Sequence, residues 1–111
     1  EGMSETVGTI EVVNKYKLSE AEQRECIYIG RGSPLGNPYK LKPWGPYERG
    51  ETLELYRGWL LNEARTNARV KRALNEIWQR AKRGETVRLM CFCKPAACHG
   101  DVIADVVRGK L

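Results

Sequence analysis

The residues best suited to chemistry cluster near the end of the chain, in the run Leu89-Met90-Cys91-Phe92-Cys93-Lys94-Pro95-Ala96-Ala97-Cys98-His99-Gly100-Asp101-Val102-Ile103-Ala104. Three of the four cysteines and the only histidine flank a break at Lys94-Pro95. A thiol at a helix N-terminus gains nucleophilic character from the free backbone N–H groups and the positive dipole end. The sole imidazole is the one histidine available for acid/base work. His99 and Cys98 are therefore the candidate catalytic pair, with His99 as acid/base and Cys98 as assistant or nucleophile. Asp101 suits the electrostatics of the helix start better than catalysis.

A second group of candidates is Tyr28-Ile29-Gly30-Arg31-Gly32-Ser33-Pro34-Leu35-Gly36-Asn37-Pro38. Its glycines allow close backbone approach or positive φ, and Arg31 offers a planar fork for phosphate or carboxylate. With Asn14 at the end of the first strand, the ligand-binding candidates are Asn14, Arg31, Gly32, Ser33, Gly36 and Asn37. The run is neither a Walker loop nor a dinucleotide fingerprint, because no G-K-[ST] occurs and no helix follows at once. An ordinary surface loop rich in turn formers has the same composition. Tyr39, Trp44 and Tyr47 are candidates for stacking on a base, or for pinning their loop to the core.

Zinc is the competing use of Cys91, Cys93, Cys98 and His99. Side chains at i and i+2 of an extended strand stand about 6.5–7 Å apart. Two sulfurs on one tetrahedral zinc stand about 3.8 Å apart. No C-x-x-C turn is present to resolve the mismatch. The expectation is no metal and no cofactor, with a structural zinc module kept as an alternative.

These residues need elements to position them. Thr6 to Asn14 reads as a strand, a helical turn is expected around Ser19-Glu20-Ala21-Glu22, and Cys26 to Ile29 reads as a second strand. The segment from Ser33 to Gly50 is punctuated by prolines and glycines and reads as a long loop. Leu53, Tyr56, Leu60, Leu61 and Ala64 recur at helical spacing behind Thr52 as a cap. Val70, Leu74, Ile77 and Ala81 form another stripe, which Gly84 stops. Thr86 to Cys93 is the third strand and Cys98 to Val107 the last helix. At 100° per residue His99 shares the sector of Val102, Ile103 and Val106, so it points inward toward the strand ends. Trp59 and Trp78 lie beside apolar stripes and read as packing residues.

This order predicts an α/β fold: a small Rossmann-like, mostly parallel sheet of three to four strands flanked by helices, in one domain spanning 1–111. Ligands of such sheets sit beyond the carboxyl ends of the strands. Asn14, the Arg31 loop and the start of the Cys98 helix are expected to converge there, on a nucleotide-like or otherwise phosphorylated small molecule.

Composition narrows the class. Charged residues make up 30% and hydrophobic ones 41%, a globular balance. No apolar run is long enough to span a membrane and no signal-type stretch precedes the first strand, so the expectation is a cytoplasmic protein with reduced thiols. The net charge of +5 is concentrated between Arg57 and Arg83, where eight basic residues face only Glu63 and Glu76. Such a window suits nucleic acid as an alternative partner, or simply a solvated helical face. Oligomeric state is not legible.

Val12-Val13-Asn14-Lys15, the run Tyr28 to Pro38, Leu89 to Cys93 with Pro95, and Cys98-His99-Gly100-Asp101-Val102 together resemble domain-of-unknown-function family 4326. The C-terminal motif is also similar to that of family 488, which carries a comparable Cys-His helix start. The first resemblance covers nearly the whole chain. It implies a phage or bacterial cytoplasmic protein with a nucleotide-related α/β domain, and it implies no particular reaction. A transferase or hydrolase acting on a nucleoside or nucleotide sugar is the enzymatic expectation. A non-catalytic nucleic-acid-binding accessory protein is the main alternative.

Overall fold

The computed structural model describes residues 8–40, 42–43, 45–92 and 98–109. Strand β1 (Ile10–Asn14) draws on Ile10, Val12 and Val13, and it ends where the Asn14 side chain accepts a hydrogen bond from the Tyr16 backbone N–H. That bond turns the chain into a 3-10 turn over Lys15–Lys17. Ser19 and Glu22 exchange reciprocal side-chain to backbone hydrogen bonds and open the short helix α1 (Glu20–Arg24). Strand β2 (Ile27–Tyr28) is brief, and Ile29 continues its pairing by donating its N–H to the Met90 carbonyl.

After the long loop come α2 (Arg49–Thr66) and α3 (Ala68–Lys82). Asn67 joins them: its backbone N–H closes α2 on Glu63, and its side-chain oxygen accepts from Arg69 and Val70 N–H to open α3. Helix α2 starts earlier than a Thr52 cap predicts, because the Glu51 carboxylate reaches back to the Glu48 N–H. Thr52 is instead a buried residue on the helix. Gly84 takes a φ of 93° just beyond α3, the left-handed stop expected of it. Strand β3 (Val87–Cys91) and helix α4 (His99–Arg108) complete the chain.

The three strands form one parallel sheet in the order β1-β3-β2. Register pairs Val12 with Leu89, Asn14 with Cys91 and Tyr28 with Met90. The fold is thus mixed α/β with a small parallel sheet, as expected. Val87, Leu89 and Cys91 alternate along β3 into a core shared with Leu60, Ile77 and Ile103 of the three long helices. On the sheet's other face Arg88 is exposed and pairs with Glu11 of β1, while Met90 is buried. Trp59 and Trp78 pack against the core. No helix of the described residues is long and apolar enough to cross a membrane.

Because every strand is parallel, all three carboxyl ends lie on one edge of the sheet. The strand ends, the turn after β2 and the start of α4 meet there.

Candidate functional site at the carboxyl edge of the sheet

His99 opens α4 and is 7% exposed. Its Nε2 lies 2.6 Å from the carbonyl oxygen of Ile29, the last pairing residue of β2. A carbonyl only accepts, so Nε2 carries the proton and the neutral ring has Nδ1 as its acceptor. Gly100 makes this approach feasible. A Cβ there would stand 2.8 Å from both Ile29 Cδ1 and Val12 Cγ1, so a larger residue would have to displace those side chains for the first turn of α4 to rest on the strands.

The imidazole therefore binds the chain two residues before Arg31, and the Arg31 turn shares its sheet edge with the start of α4. A second tie comes from α2. Tyr56 is fully buried, donates its hydroxyl to the Leu35 carbonyl at 2.6 Å, and stacks edge-on against His99 at 5.1 Å. Burial, reinforced by nearby Cys98, pushes the Tyr56 phenol well above its ordinary range, so it stays a donor. The 30–37 loop is thus held from both sides, by His99 and by Tyr56.

Within the loop the expected ligand contacts have mostly local partners. Ser33 donates both its N–H and its hydroxyl to the Gly30 carbonyl. Asn37 accepts from the Tyr39 N–H, and Asn14 from that of Tyr16. Gly36 sits so close to Gly30 that a Cβ would come within 2.6 Å of its carbonyl oxygen, and Gly32 takes a φ of 91°. These residues shape the turn. Arg31 is exposed and has no ion-pair partner among the described residues, which leaves its guanidinium available.

The start of α4 is less open to an anion than its position suggests. Cys98 is the cap, its thiol accepting from the Gly100 N–H, while the Asp101 carboxylate accepts from the Cys98 N–H. The protein's own carboxylate already answers the positive end of the helix.

Cys98 is buried beside two other reactive groups. Its sulfur lies 3.0 Å from that of Cys91 and 3.6 Å from His99 Nδ1. Among the described residues no group of three His, Cys, Asp or Glu side chains is arranged to hold a metal. Cys93, a member of the zinc set weighed above, lies outside the described residues, as does Trp44. Tyr39 and Tyr47 pack edge-on against each other at 5.5 Å.

The aromatic residues at the strand ends are others. Tyr16 follows β1, Tyr28 ends β2 and Phe92 follows β3. The Phe92 ring lies 5.2 Å from that of Tyr16 and 6.1 Å from that of Tyr28. All three are exposed, at 79%, 37% and 41% for Tyr16, Tyr28 and Phe92. Lys15 holds its ammonium 5.4 Å from the Phe92 ring centre, and the Tyr28 hydroxyl donates to the Arg31 carbonyl. A depression of 410 Å³ borders this cluster, lined by Lys15, Gln23, Tyr28 and Met90 among others. A larger hollow of 560 Å³ opens elsewhere, among the apolar residues of α2, α3 and α4. Sequence reasoning missed the aromatic trio, although one aromatic at or just past the end of each expected strand was the available signal.

The geometry can be set beside known proteins. A family model described as a domain of unknown function, DUF4326, matches residues 12–109. The chain is 36% identical over 96 residues to an uncharacterized 12.4 kDa protein from the nrdA-td intergenic region of Enterobacteria phage T4, covering 86% of this chain and 75% of that protein. No solved structure matches it. The family match over residues 12–109, together with this relative, shows that this chain belongs to the DUF4326 family.

Proposed function

We propose that the carboxyl edge of the sheet binds a nucleotide-like phosphorylated small molecule. Arg31 and the Gly30-Arg31-Gly32 backbone take the phosphate, and Tyr16, Tyr28 and Phe92 offer ring faces to the base. The observation that carries this reading is the exposed aromatic trio, one ring from each strand end, joined to the Arg31 turn through the Tyr28 hydroxyl. Exposed large rings cost hydration free energy that a stacked base recovers. Asn14, Ser33, Gly36 and Asn37 support the site by shaping its turns.

His99 and Cys98 lie behind this surface. A transfer or hydrolysis reaction on a nucleoside or nucleotide sugar would have to use Nδ1 of His99, since Nε2 is engaged by Ile29.

The test is calorimetric titration with nucleoside monophosphates, the matching nucleosides and inorganic phosphate. Arg31→Ala should weaken nucleotide binding by about 1.5–3 kcal/mol, the worth of a charge-assisted contact. Phe92→Ala should cost about 1–3 kcal/mol through lost stacking. Equal affinity of both variants and the native chain would refute the reading, as would the absence of nucleotide binding.

One observation favours a second reading, a nucleic-acid accessory role. Arg65, Arg69, Lys71 and Arg72 surround the α2–α3 junction, exposed and without ion pairs among the described residues. Arg57, Arg80 and Arg83, by contrast, are paired with carboxylates. Four phosphate contacts would give a log–log salt slope of about −3.6 on duplex DNA. A flat salt dependence would remove this reading.

A further inference from the structure

We infer that Cys98 and Cys91 form a peroxide-reactive thiol pair, in which Cys98 is the attacking thiol, His99 its base and Cys91 the resolving thiol. Three observations outside the proposed ligand surface carry this. The two sulfurs are 3.0 Å apart, and further approach of about 1 Å completes a disulfide. The tautomer of His99 is set by its bond to Ile29, which leaves Nδ1 as an acceptor 3.6 Å from the Cys98 sulfur. That sulfur also accepts from the Gly100 N–H at the head of a ten-residue helix, a contact that holds it in place facing Cys91.

Each group has one task. Nδ1 takes the Cys98 proton, and the thiolate attacks one oxygen of a small hydroperoxide. The S–O bond forms as the O–O bond breaks, and the imidazolium proton passes to the departing oxygen, giving water or an alcohol. Cys98 is then a sulfenic acid. The Cys91 sulfur attacks it, the S–S bond forms, the S–O bond breaks, and the hydroxide released takes the Cys91 proton. In total two thiols are oxidised and one hydroperoxide is reduced. Both cysteines are 1% exposed, which restricts the oxidant to one the size of water and disfavours a bulky disulfide substrate. A shared zinc is the competing use of these thiols, but sulfurs on one zinc stand about 3.8 Å apart, wider than this pair.

The experiment uses the full chain, reduced and then treated with hydrogen peroxide, and follows intact mass and chymotryptic peptides. Cleavage after Phe92 separates Cys91 from Cys93. The expected product has lost two hydrogens and links Cys91 to Cys98. Cys91→Ser should stop at a sulfenic acid that dimedone traps on residue 98. His99→Asn should slow thiol loss by about tenfold or more as the thiolate fraction falls. Circular dichroism of each variant separates misfolding from lost reactivity, and the native chain alone decides the linkage. A bridge from Cys98 to Cys93 or Cys26 would overturn the assignment. So would thiols inert to peroxide, or one tightly held zinc per chain that blocks them.

Discussion

Replacing Tyr56 by Phe isolates the hydroxyl that anchors the 30–37 loop. The ring would remain between Trp59, at 5.4 Å, and His99, at 5.1 Å, so packing is nearly conserved. What is lost is the 2.6 Å bond from the phenol to the Leu35 carbonyl, and Leu35 is only 1% exposed. Leaving a buried acceptor without its donor costs about 1–3 kcal/mol, against about 1 kcal/mol for an average hydrogen bond. We expect about 2 kcal/mol, and a fall in Tm of about 8 °C for a chain this size. Urea unfolding should show a lower midpoint with an unchanged slope, since the surface exposed on unfolding is the same. Amide exchange should quicken in the loop while β3 amides stay protected. A loss below about 0.5 kcal/mol, the range of an ordinary surface substitution, would refute the idea that Tyr56 holds the loop.

Two further outcomes follow from the same contacts. In an alkaline titration read by phenolate absorbance, Tyr56 should ionise only with unfolding, because burial raises its folded-state value. By linkage, its stabilisation is complete below the unfolded phenol value of about 10 and is lost as pH rises beyond that; a Tyr56 phenolate in the folded chain would contradict this. Gly100→Ala should lower Tm despite the better helix propensity of alanine, worth at most about 1 kcal/mol, because the new methyl meets Ile29 and Val12 at 2.8 Å and overpacking costs about 1–3 kcal/mol. A Tm equal to or above that of the native chain would show that the contact between α4 and the strands yields freely.

Much of the architecture was legible because it is written at short range. Val70, Leu74, Ile77 and Ala81 recur at helical spacing and are all buried on α3. The inward direction of His99 followed from its sector on α4, shared with Val102 and Ile103. The helix boundaries were less legible: a carboxylate at Glu51 displaced Thr52 as the start of α2, since two capping solutions lay within four residues and packing chose between them.

Local pattern thus determined which segments become strands and helices, that the sheet is parallel, and that the Arg31 turn belongs with the head of the last helix. Tertiary structure alone decided what those ends do to one another. The register of β1 and β2 on β3 gathers Tyr16, Tyr28 and Phe92, and the seating of α4 brings Cys98 onto Cys91 and assigns the His99 proton. Periodicity encodes neighbours two to four residues apart. The distances between groups far apart in sequence exist only once the core has closed and the sheet has fixed their relative height.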